Sequence, residues 1–238
     1  MTNPDARRIE LSDNLALVRR RVALACADAG RPVSELTVIA VTKFFPATDA
    51  AMLAEAGVTE LGENRDQEAA AKVAEVATLT QLPVRWHFLG RLQTNKARSV
   101  ARYADLVHSV DRAALVDALA TGAAQAGRVL PVLVQLSLDA DPARGGSAGE
   151  QLLRLADQVA SRSELRLDGV MAIAPLDAEP DPAFEQLTVV AERLQAEHPG
   201  ATVISAGMSS DLESAVRHGA THLRIGTALL GRRATNFR

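Results

Sequence analysis

The stretch LTVIAVTK, residues 36–43, decides the fold class of this chain, and FFP follows it at residues 44–46. An apolar, β-branched run of this length is typical of a buried parallel strand, and Pro46 ends it. Lys43 is therefore predicted at the carboxyl end of a strand, where βα barrels carry their reactive groups. A lysine amine attacks a carbonyl only after losing its proton, which burial or a neighbouring cation promotes. Lys43 is a candidate Schiff-base lysine, and a solvated charge at a strand end is the alternative.

Seven further apolar runs follow, separated by stretches of helical length, which is the pattern of repeated βα units. The predicted strands are residues 38–43, 60–63, 85–89, 106–109, 131–136, 169–173, 202–205 and 222–226. Asp111 and Ser209 are expected helix-start signals, and Gly57, Gly127 and Gly219 are expected stop signals. Eight units in order predict one (β/α)8 TIM-type barrel domain over residues 1–238. A doubly wound open sheet is the alternative, but no Gly-x-Gly-x-x-Gly turn follows the first strand.

An extra helix is predicted before the first strand. Residues 7–27 carry apolar side chains at helical spacing, namely Ile9, Leu11, Leu15, Val18, Val22 and Leu24. Residues 1–35 are therefore expected to form a helical segment that packs on the barrel rather than a separate domain. After Gly231 the chain has only the residues to Arg238, too few for a further domain.

The composition limits the classes of partner. The 238 residues are 47% hydrophobic and 23% charged, which is enough for a large core without a metal or a disulfide. A net charge of −3 gives no reason to expect nucleic acid or a membrane surface as a partner. Cys26 is the only cysteine, so no intramolecular disulfide can form. Because neither a secretory leader nor a spanning apolar stretch is visible, we expect a cytoplasmic protein.

No metal site is predicted. The five histidines lie far apart in the sequence without the spacing of metal ligands: His87, His108, His198, His218 and His222. Neither a Ser/His/Asp arrangement nor a Gly-x-Ser-x-Gly motif is present, so hydrolase chemistry is not indicated.

Two loops near the end of the chain are suited to binding an anion. SAGMSSD at residues 205–211 and LRIGTALLG at residues 223–231 follow the last two predicted strands. In a βα barrel these positions commonly form a phosphate site from backbone N–H groups and hydroxyls. Ser209 is expected at a helix N-cap, and Thr227 places a hydroxyl beside Gly226. A capping serine and a turn glycine without a ligand are the alternative.

Three further polar residues lie at or near predicted strand ends. Arg224 must be paired or must face the barrel mouth, where a guanidinium beside a pyridine nitrogen would keep that nitrogen unprotonated. The alternative for Arg224 is an ion pair with a carboxylate such as Glu63. Asn64 is a candidate hydrogen-bonding residue for a ring substituent. His87 could pack against a planar ligand, although a histidine between Trp86 and Phe88 is more often part of a core.

Five motifs together resemble one family. AVTK at residues 40–43, GEN at 62–64, WHFLGRLQTNK at 86–96, GMSSD at 207–211 and RIG at 224–226 resemble the YggS/PROSC family of pyridoxal phosphate homeostasis proteins. The resemblance runs in order from about residue 36 to residue 231. It implies a fold-type III barrel similar to the N-terminal domain of alanine racemase. It also implies a protein that binds pyridoxal 5′-phosphate and supplies it to apo-enzymes, with no or weak catalysis.

The resemblance also implies, by position, a set of cofactor-binding residues: Lys43, Asn64, His87, Met208, Ser209, Arg224, Gly226 and Thr227. Lys43 matches the lysine that forms the internal aldimine, a Schiff base with the cofactor. Ser209, Gly226 and Thr227 match the phosphate site, and Arg224 matches the arginine that faces the pyridine nitrogen.

The chain departs from the usual family pattern at three places. FFP at residues 44–46 replaces a more polar tripeptide, and Arg65 with Asp66 stands where an aromatic and an aliphatic residue are common. Arg144 stands in place of a lysine. An arginine keeps the positive charge but not the amine chemistry, which argues against a secondary cofactor site at that position.

Two enzyme classes remain as alternatives. An amino-acid racemase with the same cofactor needs a second base opposite the lysine, and such enzymes resemble a barrel followed by a β domain. Here the chain ends soon after Gly231, and Tyr103, the only tyrosine, is expected near the opposite end of the barrel from Lys43. The missing β domain also favours a monomer. A cofactor-free Schiff-base aldolase would use Lys43 without any chromophore.

Overall fold

Eight parallel strands form a closed barrel, so the predicted (β/α)8 fold is confirmed. The computed structural model describes residues 3–139, 145–175 and 178–231. Each strand pairs with the next one in the chain, and β8 pairs with β1 to close the barrel. The strands are β1 (Thr37–Val41), β2 (Glu60–Glu63), β3 (Arg85–Phe88), β4 (Leu106–Val110), β5 (Leu130–Leu136), β6 (Leu165–Ala172), β7 (Val203–Ser205) and β8 (His222–Ile225).

Helices surround the barrel and cover its outer face. They are α1 (Pro4–Asp28), α2 (Ala47–Glu55), α3 (Asp66–Leu79), α4 (Ala97–Tyr103), α5 (Ala113–Ala126), α6 (Glu150–Ala160), α7 (Pro180–Glu197), α8 (Leu212–Arg217) and α9 (Thr227–Leu230). Two short 3-10 turns lie at Val33–Glu35 and Thr94–Lys96. Of the helices in the described ranges, none combines the length and the hydrophobicity needed to cross a lipid bilayer.

β6 begins four residues earlier than the sequence predicted, whereas β1 and β5 begin one residue earlier. β6 starts at Leu165, not at Gly169, and its first residues pair with β5. Leu165 and Leu167 are largely buried while Arg166 between them is exposed, so the strand begins with one face in solvent. The continuous apolar pattern used to find the other strands does not apply to such a segment.

α1 packs along the outside of the barrel against α2, α8 and α9. Leu11, Leu15, Val18 and Val22 form its buried face together with Ala25 and Cys26. Ile9 and Leu24, which the sequence analysis placed on that apolar face, are 62% and 57% exposed, so the predicted face was too wide. In the first turn of α1, Arg7 pairs with Asp49 at 2.6 Å, and in its second half Arg21 pairs with Glu213 at 2.8 Å.

The predicted helix signals differ in outcome. Gly127 directly follows α5, and Gly57 and Gly219 lie one residue further on, after the C-cap residues of α2 and α8. All three have positive φ, as expected of stop signals. Neither predicted start residue caps its helix. Arg112 and Asp211 occupy the N-cap positions of α5 and α8, and neither side chain makes a capping hydrogen bond there.

Candidate cofactor-binding site

A cavity of about 490 Å³ opens at the carboxyl ends of the strands. Seven of the eight residues proposed from the sequence line it: Lys43, Asn64, Met208, Ser209, Arg224, Gly226 and Thr227. The remaining lining residues were not identified from the sequence, and they are Val41, Leu89, Met171, Ile173 and Ser210. Four of those five are apolar, so the cavity combines polar groups with walls suited to a planar ring.

Lys43 enters the cavity because of its position after β1. Strand side chains alternate between the barrel interior and the helix layer, so Lys43 follows Val41 on the inner side. The chain then turns sharply at Phe44, whose φ of 69° is uncommon for a residue other than glycine. The Arg65 guanidinium lies 5.3 Å from the centre of the Phe44 ring. Two positions where this chain departs from the family pattern therefore contact each other beside the lysine.

A buried ion pair outside the barrel holds the backbone just before Lys43. Glu63, which is 1% exposed, pairs with Lys72 from α3. The Lys72 ammonium also donates to the backbone carbonyl of Thr42 at 2.7 Å, and the Thr42 hydroxyl donates to Glu63 at 2.7 Å. The pair thus ties the end of β1 to β2 and α3, and it limits where the Lys43 backbone can lie.

Asn64 lines the cavity where the loop after β2 packs closely against the loop after β3. It follows Gly62 on the inner side of the barrel, and Gly90 from the loop after β3 packs directly against it. A Cβ atom at position 90 would lie 2.1 Å from the backbone oxygen of Asn64. Only glycine fits there without moving one of the two loops.

We expect Gly90→Ala to destabilise the protein by about 1–3 kcal/mol, because the added methyl group must push the Asn64 backbone away. Urea unfolding followed by circular dichroism measures the change. Gly200→Ala is the matched control, because a Cβ at position 200 meets no atom within 4 Å. Equal stability of the two variants would show that the loops separate at little cost.

Ser209 and Thr227 lie on two loops that are joined by a hydrogen bond. The backbone N–H of Ala228 donates to the Ser209 hydroxyl at 3.2 Å. Ser209 is not the N-cap residue that the sequence predicted, because Asp211 takes that position and accepts from the Met208 N–H at 2.5 Å. Ser209 therefore faces the loop after β8, with its hydroxyl on the cavity.

Arg224 is 5% exposed, and two nitrogens of its guanidinium donate hydrogen bonds. Its guanidinium donates to the Ser205 hydroxyl at 2.7 Å and to the Ala172 carbonyl at 2.8 Å. Burial lowers the pKa of Arg224 to about 10, which leaves it protonated at neutral pH. The alternative of an ion pair with Glu63 is wrong, because the carboxylate of Glu63, the last residue of β2, pairs with Lys72 from α3.

His87 is the one proposed site residue that the structure leaves off the cavity. Its side chain is buried inside the barrel below Leu89, which occupies the cavity wall instead. One ring nitrogen, Nδ1, lies 2.9 Å from His108 Nε2, and the other lies 2.5 Å from a carboxylate oxygen of Glu60. His87 is thus part of the core, which was the alternative to a ligand contact.

Three histidines that are far apart in the sequence meet inside the barrel. The ring centres of His87 and His108 are 5.1 Å apart, and those of His87 and His222 are 6.3 Å apart. Burial lowers the pKa of His108 well below its usual value, and burial lowers the pKa of His222 to about 4. The neutral forms of His108 and His222 are therefore favoured at pH 7.

A different histidine belongs to the one group of three potential metal ligands found within the described ranges. Asp157, Glu197 and His198 place one ligand atom each within 4.8 Å of one another. The two carboxylate residues are exposed to solvent, and clusters of this kind are common without a bound ion. The group lies on α6 and at the end of α7, in the helix layer outside the barrel.

Tyr103 lies in the helix layer and does not line the Lys43 cavity. Its hydroxyl is 3.5 Å from a carboxylate oxygen of Asp66, the first residue of α3. Tyr103 also lines a cavity with Val84 and Asp105, which precede β3 and β4, so it lies toward the end of the barrel away from Lys43, as predicted, while its hydroxyl reaches the start of α3. Burial raises the pKa of Tyr103, so the phenol keeps its proton. Arg144, the other position of interest, falls outside the described residues.

The residues of the cavity fit pyridoxal 5′-phosphate. Lys43 offers an amine for the aldehyde, and Ser209, Gly226 and Thr227 form a small polar wall for the phosphate. Arg224 presents a buried guanidinium on another side. The apolar side chains Leu89, Met171 and Ile173 can cover a pyridine ring, and about 490 Å³ is a common size for a small-molecule site.

Comparisons with known proteins give one consistent family. Residues 14–234 match the family model described as alanine racemase, N-terminal domain. The chain is 47% identical to the pyridoxal phosphate homeostasis protein of Mycobacterium tuberculosis, across 97% of this chain and 95% of the relative. It is 36% identical to the protein of the same name from Escherichia coli, across 94% of this chain and 97% of that one.

Solved structures agree with the sequence relatives. PipY of Synechococcus elongatus, solved with PLP bound, has a TM-score of 0.82 and 36% identity, across 93% of this chain and 100% of PipY. Alanine racemase from Corynebacterium glutamicum has a TM-score of 0.68 at 12% identity, which is a likeness of fold. This chain spans 60% of the length of that racemase.

Proposed function

Because this chain belongs to the YggS/PROSC family of pyridoxal phosphate homeostasis proteins, we propose that it binds pyridoxal 5′-phosphate and supplies it to apo-enzymes. The observation that carries the proposal is the single cavity that joins Lys43, Arg224 and the loop of Ser209. The bound cofactor supplies a reactive aldehyde. Since this chain itself supplies an amine, a guanidinium and two hydroxyls for the cofactor, we propose that the protein acts as a monomer.

Each group has a distinct part in holding the cofactor. Lys43 forms the covalent link, which keeps a reactive aldehyde out of solution. Ser209 and Thr227 bind the phosphate through hydroxyl and backbone groups. Arg224 donates to the pyridine nitrogen and, because a guanidinium does not give up its proton, leaves that nitrogen unprotonated. An unprotonated ring is a weaker electron sink, which favours storage of the cofactor over catalysis.

The lining of the cavity argues against the racemase alternative. Among the described residues that line it, Lys43 and Arg224 are the ionisable ones. A two-base racemase needs a second acid–base group near the substrate, and Tyr103 is held in the helix layer beside Asp66. The aldolase alternative leaves unexplained both the apolar walls and the buried guanidinium, which suit an aromatic heterocycle.

A transfer experiment tests the proposal. Protein loaded with pyridoxal phosphate is mixed with the apo form of a pyridoxal phosphate enzyme, in the presence of a phosphatase that destroys free cofactor. We expect the enzyme to regain activity, whereas the same amount of free cofactor restores little. Loaded protein treated with borohydride is the control, because reduction locks the cofactor on the protein and should stop transfer.

Two results would contradict the proposal. If the purified protein acquires no visible absorbance band with pyridoxal phosphate, it does not bind this cofactor as a Schiff base. Conversion of L-alanine to D-alanine at many turnovers per second would return the racemase alternative, since typical enzymes turn over about 1–1000 times per second.

A further inference from the structure

A line of hydrogen-bonded side chains crosses the barrel interior and ends at Arg224. It begins at Glu60, the first residue of β2, and passes through His87 on β3 and His108 on β4. His108 Nδ1 then lies 2.9 Å from the hydroxyl of Ser205 on β7, which accepts from Arg224 at 2.7 Å. β4 and β7 are not neighbours in the sheet, so this contact passes through the centre of the barrel.

When both imidazole rings are neutral, the chemistry of the two ends sets the direction of every bond in the line. A carboxylate only accepts hydrogen bonds, so His87 must carry its proton on Nε2, facing Glu60. His87 Nδ1 is then an acceptor, which requires the proton of His108 to lie on Nε2. His108 Nδ1 becomes an acceptor in turn and takes the Ser205 hydroxyl proton. Ser205 consequently turns a lone pair toward Arg224.

We propose that Glu60, His87, His108 and Ser205 are positioning residues that hold the Arg224 guanidinium in place at the wall of the cavity. The carboxylate at the amino-terminal end of the barrel thereby controls a group at the carboxyl-terminal end. Arg224 also donates to the Ala172 carbonyl, so it stays at the cavity wall without the line, and the line fixes the orientation of its guanidinium. The consequence for the cofactor rests on the proposed function, whereas the hydrogen-bond direction does not.

The surroundings of the line agree with an ionised Glu60 and with neutral His108 and His222. Burial raises the pKa of Glu60, but the hydrogen bond from His87 at 2.5 Å and the Arg85 guanidinium at 3.5 Å outweigh it, so the pKa lies below its usual value. His222 lies beside His87, and its Nδ1 is 2.9 Å from the Thr221 hydroxyl. Burial lowers the pKa of both His108 and His222, so a second positive charge next to Arg224 is disfavoured.

Nitrogen-15 NMR of the histidine rings tests the direction of the bonds without any cofactor. In the wild-type protein at pH 7.5, we expect His87 and His108 to be neutral with the proton on Nε2. In Glu60→Leu, which has no acceptor, a measurable fraction of both rings should move the proton to Nδ1. Ser205→Ala should shift the Nδ1 resonance of His108, while Ser109→Ala should change neither ring. Ser109 is a suitable control because it is a buried serine next to His108 whose hydroxyl has no partner among the described residues.

Cofactor affinity gives the second readout once covalent binding at Lys43 has been established. Ser205→Ala should raise the dissociation constant for pyridoxal phosphate about tenfold, which equals about 1.4 kcal/mol, because Arg224 loses one charge-assisted bond. Ser109→Ala should leave it unchanged.

A proton on Nδ1 of either wild-type ring would overturn the proposal. So would equal cofactor affinity of the two serine variants. If Lys43 takes no cofactor at all, the NMR result still decides whether the line of bonds exists, so the two proposals fail separately.

Discussion

Lys43→Ala is expected to lose all covalent retention of pyridoxal phosphate. The cavity contains one amine, on Lys43, and the other ionisable lining residue within the described ranges is Arg224, whose guanidinium does not form a stable Schiff base. Ser209, Thr227 and Arg224 should still bind the cofactor weakly and reversibly. The variant should therefore be colourless after gel filtration, while the wild-type protein keeps its absorbance band.

Borohydride reduction followed by peptide mass mapping identifies the attachment point. In the wild-type protein the cofactor mass should appear on the peptide that contains Lys43. Lys96→Ala is the matched control, because Lys96 lines a neighbouring cavity of about 420 Å³ rather than the one with Lys43, and it should behave like the wild type. An adduct that persists in Lys43→Ala, or that disappears in Lys96→Ala, would move the Schiff-base site elsewhere.

Strand periodicity explains why most of the site could be predicted from the sequence. In a parallel barrel the first inward residue beyond the end of each strand reaches the mouth, and Lys43, Asn64 and Gly226 occupy that position. The same rule should have excluded His87. Leu89 is the next inward residue of its segment, so His87 must lie one layer deeper. The polar side chain of His87 suggested a ligand contact, whereas the two-residue period of the strand correctly places Leu89 at the cavity.

The contacts between distant strands could not be predicted in the same way. Glu60, His108 and Ser205 come from strands that are widely separated in the sequence, and the bond between β4 and β7 depends on the diameter of the closed barrel. Local propensity also failed at Ser209. Serine and aspartate are both good N-cap residues, and the turn geometry placed Asp211 rather than Ser209 at the start of α8.

The folded protein should lose stability steeply as the pH falls from about 6.5 toward 4. Burial lowers the pKa of His108 and His222 in the folded state, whereas an unfolded histidine titrates near about 6.5. Between those values the unfolded chain binds protons that the folded chain excludes, so the free energy of unfolding decreases as the pH decreases. The folded value of about 4 for His222 corresponds to a loss of about 3 kcal/mol from that residue alone.

Urea unfolding at a series of pH values measures this effect. In His222→Gln, the free energy of unfolding should lose the part of its pH dependence between pH 6.5 and 4 that His222 contributes. The slope should remain in His218→Gln, because His218 lies outside the barrel beside Asp181. Glu60 does not contribute to the slope in the part of this range above about pH 4.5. Its pKa is lowered in the folded state, so its stabilising effect is lost only below about pH 4.5, where the unfolded carboxylate takes up a proton. Constant stability from pH 6.5 to 4.5 would mean that the barrel accepts protonated histidines, and the neutral line of bonds to Arg224 would then hold only near neutral pH.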